Sequence, residues 1–348
     1  MLNDVEICVF GAGSIGCYVG GRLAASRARV TLVARPRIAE EIATNGLHLT
    51  DLHGSDLRAL PAQIRVETAP VHADRADLVL VTVKSADTAE AARILQPLLR
   101  RGTVVISIQN GISNADVLRG GLPDCVVVPG IATFNVLPRG NGHFHQGTEG
   151  ELIAQDDPEL ERFAVPFRNA GLPLLRRADL VPTQWGKLLL NLNNPINALS
   201  NVPLLEELSQ RSYRRCLALA QGEALEVMKR ADIRPTQLIG VPPGVMVKML
   251  GAPSVVFKRV AGKVLAVDPV ARSSMWEDLE RGRITEIDYL SGEIVRLAEK
   301  VGTTAPVNAR LTALIKVAES GGRREWTGKE LLRTLLAARD ADNANTAV

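Results

Sequence analysis

The chain has 348 residues, 46% of them hydrophobic and 23% charged, and a net charge of +3. That length suits two domains rather than one core, and the apolar content excludes a disordered chain. The basic residues are scattered, which gives no nucleic-acid or membrane footprint, and no apolar run reaches the roughly 18 residues of a membrane span.

The N-terminus, Met1-Leu2-Asn3-Asp4-Val5-Glu6, leads into a first strand rather than a signal peptide. Residues 5–10 read as a buried strand. The turn Gly11-Ala12-Gly13-Ser14-Ile15-Gly16 follows, and then a helix to about Ser26. A glycine triplet is diagnostic in this context, after a first strand and opening a helix. Gly11 permits the turn, Gly13 admits a pyrophosphate, and Gly16 lets helix and strand pack closely. The free amides at the helix start then offer themselves to phosphate.

Residues 29–34 form a second strand, which ends at Arg35. An NAD enzyme places an acid there to hold the ribose hydroxyl. A guanidinium in its place matches a 2′-phosphate, so NADPH is the expected cofactor. Further strands are expected at 78–83, 103–108 and 125–129, with helical patterns between them. This alternation predicts a Rossmann-type, doubly wound parallel sheet. Lys84 and Gln109-Asn110-Gly111 follow two of these strands, at the carboxyl edge where such sheets bind ligands. Residues 141–155 read as a β-meander, with His143 and His145 alternating on a strand in structural roles.

After Pro182 the periodicity turns helical and strands disappear. The expected organisation is an NADP-binding domain over residues 1–180, a helical substrate domain over 181–338, and a frayed tail over 339–348. Pro242-Pro243-Gly244 and residues 302–306 read as loops. Thr183 is placed to cap a helix that carries Lys187, Asn191 and Asn194 at i, i+4 and i+7, on one face. Leucines cover much of the rest, so this polar face should meet a partner or ligand. Pro195 should bend or end the helix. Further on, Thr285 to Asp288 has the spacing of a capping box, with Glu286 in the first helical turn. Cys8, Cys17, Cys125 and Cys216 have neither zinc nor disulfide spacing and read as reduced and mostly buried in a cytoplasmic protein. No metal is expected.

These segments together resemble the ketopantoate reductases (2-dehydropantoate 2-reductases). The likeness rests on the order of Gly11–Gly16, Val83-Lys84, Gln109-Asn110-Gly111, Trp185-Gly186-Lys187 with Asn191, Ser273-Ser274-Met275 and Thr285-Glu286-Ile287-Asp288-Tyr289. It implies a Rossmann domain, an all-helical C-terminal domain and an active site in the cleft between them. It also implies NADPH-dependent reduction of 2-dehydropantoate to pantoate, with Lys187 as proton donor. Asn191 and Asn194 would bind the substrate and Ser274 its carboxylate. Asn110 and Lys84 would border the nicotinamide, and Glu286 would lie near both cofactor and substrate. The family places its second helix asparagine eight residues after the lysine, where this chain has Pro195. Asn194 or Asn197 would take that role after a one-residue shift or a bend. Alternatives are a reductase of the same fold acting on another small 2-keto acid, and a non-catalytic NADPH sensor. The expected partners are the small keto acid and, as an option, a second copy of the chain.

Overall fold

The structure is a computed structural model that describes residues 5–238, 240–260 and 270–346. Residues 1–4, ahead of the expected first strand, and 347–348 of the expected tail lie outside the described residues. The chain divides into two compact units, 1–180 and 181–348.

In the first unit the elements run β1 (Glu6–Phe10), α1 (Ser14–Ala25), β2 (Arg29–Val33), α2 (Pro36–Asn45), β3 (Leu47–Thr50), β4 (Asp56–Ala59), β5 (Ile64–Glu67), β6 (Leu78–Val81), α3 (Thr88–Leu95), β7 (Val104–Ile108), α4 (Asn114–Gly121), β8 (Val126–Ala132), β9 (Val136–Gly140), β10 (His143–Gln146), β11 (Leu152–Gln155), α5 (Ala164–Asn169) and β12 (Leu174–Arg177). Eight strands form one sheet in the order β12-β11-β8-β7-β6-β1-β2-β5. All its neighbours pair parallel except β8 and β11.

Period-two alternation gives each strand two buried faces. Ile7, Val9, Leu78, Leu80, Val104 and Ile106 join the core on one face. Cys8, Phe10, Val79, Val81 and Val105 join the core on the other, with Leu95 of α3 and Leu118 of α4. This is the expected doubly wound sheet.

A second, four-stranded sheet in the order β4-β3-β10-β9 was not foreseen. It covers α1, which packs against β2 of the large sheet and β3, β4, β9 and β10 of the small one. A helix buried on both sides is apolar over most of its surface, and residues 16–24 of α1 are all buried, the hydrogen-bonded Arg22 among them. Residues 141–155 are correspondingly not a meander. β10 pairs with β9 and β3 in the small sheet, whereas β11 pairs with β8 and β12 in the large one. Gly150, with φ +152°, and the chain around it carry the segment from one sheet to the other. On the small sheet, His143 stacks on His48 with ring centroids 4.2 Å apart, and Thr50 Oγ1 hydrogen-bonds both His143 and His145.

The second unit comprises α6 (Val181–Asn191), α7 (Asn194–Ser200), α8 (Leu204–Ser209), α9 (Arg211–Arg230), α10 (Pro243–Gly251), α11 (Ser254–Val260), α12 (Ser274–Glu280), α13 (Ser291–Lys300), α14 (Pro306–Glu319) and α15 (Gly328–Thr346). Its described residues contain no strand. The 20-residue α9 is central, and it buries Tyr213, Cys216, Leu217, Ala220, Ala224, Val227 and Met228 at helical spacing. Helices α10, α13, α14 and α15 pack on it.

One loop expectation and the frayed tail are corrected. Pro243 opens α10, because its fixed φ suits a first helical position. The chain from 339 onward is not frayed but helical through Thr346. Its alanines favour helix, and buried Leu331, Leu332 and Leu335 anchor the preceding turns of α15. No helix among the described residues is long and apolar enough to cross a membrane.

Candidate active site

The first unit collects its predicted site residues at one edge. Parallel strands β1, β2, β6 and β7 end there together, so the turns that follow them converge. The Gly11–Gly16 turn is tied to the end of β2 by the amides of Gly11 and Ala12, which donate to Val33 O at 3.2 and 3.0 Å. Ser14 and Ile15 start α1, and Gly13 is its N-cap without a side-chain bond. A Cβ on Gly16 would lie 2.1 Å from Gly11 O and 2.6 Å from Thr82 Oγ1, so only glycine allows this approach. A Cβ on Gly13 would meet nothing within 4 Å. The backbone at Gly13 is therefore open on that side, as a pyrophosphate cradle requires.

Arg35 caps α2 at the end of β2. Its side chain is 77% exposed and pairs with Asp87 at 3.9 Å, an exposed contact of little strength. It can turn to a phosphate at small cost.

Lys84 and Asn110 follow β6 and β7, and both are half-buried. Beneath them lies a polar network that the sequence did not reveal. Ser85 Oγ and Asn114 Nδ2 both donate to Asn110 O, at 2.6 and 2.5 Å. Thr88 Oγ1 donates to Asn114 Oδ1 at 2.8 Å, and Gln109 Nε2 donates to Val83 O at 3.0 Å and Thr88 Oγ1 at 2.8 Å. These four side chains leave Lys84 and Asn110 on two loops locked to each other. Buried, fully paired networks of this kind rigidify a site.

In the second unit, α6 carries Lys187 and Asn191. It starts at Val181, so Thr183 is a buried residue inside the helix rather than its cap. Gly186 belongs to the site for a reason of packing: a Cβ there would lie 2.4 Å from Thr236 O.

The helix breaks after Asn191, and α7 starts at Asn194 with Pro195 in its first turn. Pro195 has no N–H for the carbonyl of Asn191. The break also weakens the bond on Leu189 O, which Leu192 N reaches only at 3.4 Å, and Gln221 of α9 completes it at 2.9 Å. Asn194 therefore does not continue the face of Lys187 and Asn191 as i+7 of one helix. It opens a second helix instead.

Of the two asparagines left as alternatives, Asn197 has a structural role. It is fully buried, its Nδ2 donates to Val202 O at 3.0 Å and Glu207 Oε2 at 2.7 Å, and its Oδ1 accepts from Ser273 N at 2.8 Å. Asn194 is half-buried. Its backbone oxygen receives Ser273 Oγ at 3.3 Å, which ties the start of α7 to the start of α12. Ser273 caps α12 by accepting from Trp276 N, and the adjacent Ser274 is exposed.

The segment around Glu286 is not a capping box. Thr285 N and Oγ1 both donate to Glu319 Oε1 of α14, at 2.8 and 2.7 Å. Thr285 Oγ1 also accepts from Ile287 N at 3.2 Å. Glu286 precedes a single 3-10 turn, Ile287–Tyr289, and α13 begins only at Ser291. Lys316 pairs with Asp288 at 2.6 Å, so α14 holds both sides of Glu286.

Lys187 is 8% exposed. Burial depresses its ammonium to about 8, and the nearby Glu286 carboxylate opposes that fall. An ammonium poised near neutral pH beside a carboxylate has the features of a general acid. The structure thus brings Lys187 and Glu286 together, and separately brings Asn194 to Ser273 and Ser274. Among the described residues no His, Cys, Asp and Glu side chains form a group that could hold a metal ion.

The family description "Ketopantoate reductase PanE/ApbA" matches residues 7–158, and its C-terminal counterpart matches 179–319. The 2-dehydropantoate 2-reductase of Archaeoglobus fulgidus is 28% identical over 91% of this chain and 98% of its own length. The crystal structure of a PanE/ApbA family ketopantoate reductase from Ralstonia eutropha superposes with a TM-score of 0.76. It is 29% identical and covers 91% of this chain and 99% of its own. A D-mandelate dehydrogenase solved with NADH and anilino(oxo)acetate shares the fold at a TM-score of 0.72 and 21% identity, covering 91% of this chain and 99% of that one.

Fold and site together define a pyridine-nucleotide-dependent reductase with a Rossmann unit followed by a helical unit. Within that class, the chain belongs to the ketopantoate reductase family.

Proposed function

We propose that the chain reduces 2-dehydropantoate to pantoate with NADPH. The observation that carries this reading is the buried Lys187 beside Glu286, in a chain that a relative named 2-dehydropantoate 2-reductase matches over 98% of its own length. The fit for the cofactor rests on the open Gly13 backbone, the close-packed Gly16 and the loosely held Arg35. The amides of Ser14, Ile15 and Gly16 in the first turn of α1 would hold the pyrophosphate, while those of Gly11, Ala12 and Gly13 bond within the turn and to β2 and shape the backbone that it would approach. Arg35 would hold the 2′-phosphate, and Lys84 and Asn110 would border the nicotinamide.

When bound, the cofactor supplies hydride to the keto carbon. Negative charge then develops on the ketone oxygen. The Lys187 ammonium stabilises that charge and passes its proton to the oxygen, so one residue serves as both electrostatic partner and general acid. Keto acid, NADPH and one proton become hydroxy acid and NADP⁺. Asn191 and Asn194 would bind the substrate, and Ser274 its carboxylate. Glu286 would sustain the charge of Lys187 and hold a substrate hydroxyl. A reducing, cytoplasmic setting belongs to the same reading and is supported by four unpaired cysteines, three of them buried.

The test is a panel of branched and unbranched 2-keto acids assayed with NADPH and NADH. The expected result is that 2-dehydropantoate with NADPH has the highest kcat/KM. Equal turnover of pyruvate-like acids would refute the substrate assignment.

A further inference from the structure

Helix α8 contributes a residue that the sequence did not single out. Glu207 lies in the run Leu204–Ser209, where a glutamate reads as a surface residue, yet its exposure is 0%. Its Oε2 accepts from Asn197 Nδ2 at 2.7 Å, and the side chain of Asn193 also hydrogen-bonds to it. Asn193 sits in the break between α6 and α7, and Asn197 lies one turn inside α7. The opposite end of the Asn197 amide receives the backbone N–H of Ser273 at 2.8 Å. One carboxyl therefore reaches both ends of the first turn of α7, and through Asn197 it reaches the N-cap of α12.

We propose that Glu207 is a positioning residue for the keto-acid site, bracing Asn193, Asn197 and the Ser273 amide so that Asn194 and Ser274 are held in place. This rests on the assignment of Asn194 and Ser274 as substrate contacts. Glu207 itself touches no substrate and no cofactor in this scheme. A side chain of α8 cut off from water and bonded to both Asn193 and Asn197 fixes α7 against α8 more firmly than surface contacts do.

The carboxyl acts in its neutral form. Burial pushes it up to about 8, against the downward pull of the hydrogen bonds from Asn197 and Asn193. Among the described residues, Glu207 Oε1 and Asn193 Oδ1 are buried with no hydrogen-bond partner. A proton on the carboxyl removes the buried charge and makes Oε1 a donor. From α9, Tyr213 and Cys216 face it, each pushed up to about 12. The buried Arg214 of α9 lies close by, but its guanidinium donates to Leu208 O and Ser209 O, both at 3.0 Å, rather than to the carboxyl.

Three enzymes test this: wild type, Glu207→Ala and Glu207→Gln, with Glu207→Met replacing the alanine variant if that one is insoluble. Glutamine reproduces a protonated glutamate, with one acceptor and one donor end. The readouts are KM and kcat for 2-dehydropantoate, NADPH affinity by fluorescence, and hydrogen exchange of the peptide containing the Ser273 amide. The Ala or Met variant is expected to raise KM by about tenfold or more, the scale of a displaced positioning group, while NADPH affinity stays within about twofold. Its Ser273 amide should exchange faster than in the wild type. Glu207→Gln should restore KM and exchange to native values. A native KM and native exchange in the Ala or Met variant would overturn the proposal, and so would a Gln variant as impaired as the Ala one. If the wild type fails to reduce 2-dehydropantoate, the functional assignment falls, yet the exchange measurements still decide whether Glu207 braces the site.

Discussion

Lys187 is where the structure predicts the largest catalytic effect. Holding its ammonium in a buried position lowers its pKa from 10.5 to about 8, which corresponds to a cost of about 3 kcal/mol to keep it charged in the fold at neutral pH. A protein tolerates such a cost at a site that uses the charge. With a pKa near 8, roughly 90% of the enzyme carries the ammonium at pH 7 and roughly 10% at pH 9, so kcat should fall about tenfold between them. Lys187→Ala should lower kcat by roughly 10²- to 10⁴-fold, equivalent to about 3–5 kcal/mol of transition-state stabilisation. NADPH affinity, set by the first unit, should be unchanged. Lys187→Met keeps the volume without the charge and should raise Tm, because the buried ammonium no longer has to be accommodated. The assay is steady-state reduction of 2-dehydropantoate from pH 6 to 10, followed by loss of NADPH absorbance, with cofactor binding measured by fluorescence. Near-native turnover in Lys187→Ala, or an alkaline limb unchanged in its residual activity, would refute the assignment.

Three further outcomes follow from the same contacts. Arg35→Asp should reverse or erase a preference for NADPH over NADH, read as the ratio of kcat/KM for the two cofactors; equal use of both by the wild type would contradict the role given to Arg35. Glu286→Gln should raise KM for the keto acid and move the alkaline limb below about 8, since its carboxylate helps keep Lys187 protonated; a limb that stays or moves upward would count against the pairing. Arg22 is 6% exposed in α1 and donates to Ala170 O at 2.9 Å, Tyr18 Oη at 2.7 Å and Asp51 Oδ2 at 3.0 Å. Arg22→Ala takes the cation from half-buried Asp51, whose Oδ1 keeps its bonds from His53 N and Ser55 N, and should cost about 2–4 kcal/mol in denaturant unfolding, whereas a loss below about 1 kcal/mol would mean the cluster relaxes freely.

The parallel sheet and its glycine turn were legible because buried strands such as β1, β6 and β7 are continuous apolar runs with turn residues after them. The small sheet was not. β3 and β4 are four residues each and carry His48, Asp56 and Arg58 between apolar positions. They are short amphipathic segments whose stability comes from α1 and from β10 about 95 residues away, as the pairing of His48 with His143 shows. No local pattern records such a partner.

In the helical unit, Pro195 was correctly placed at a break. The break takes Leu192 and Asn193 out of helix, however, so the shared face extends only from Lys187 to Asn191. Glu207 escaped notice, and Asn197 was considered only as a substrate contact, because burial turns an ordinary Leu-Glu-Glu-Leu stretch into a brace, and burial here is decided by how α7, α8 and α12 pack. The Thr285 spacing suggested a cap, but the acid that serves Thr285 is Glu319, 34 residues on.

The most direct test of the central claim is isotopic. The enzyme would be mixed with 2-dehydropantoate and NADPH carrying deuterium at both C4 positions, and the product analysed by mass spectrometry. The expected result is pantoate with a single deuterium on carbon 2, formed in step with NADP⁺, and its rate of formation should drop roughly 10²-fold or more in Lys187→Ala. Oxidation of the cofactor without deuterated pantoate, or no oxidation at all, would contradict it.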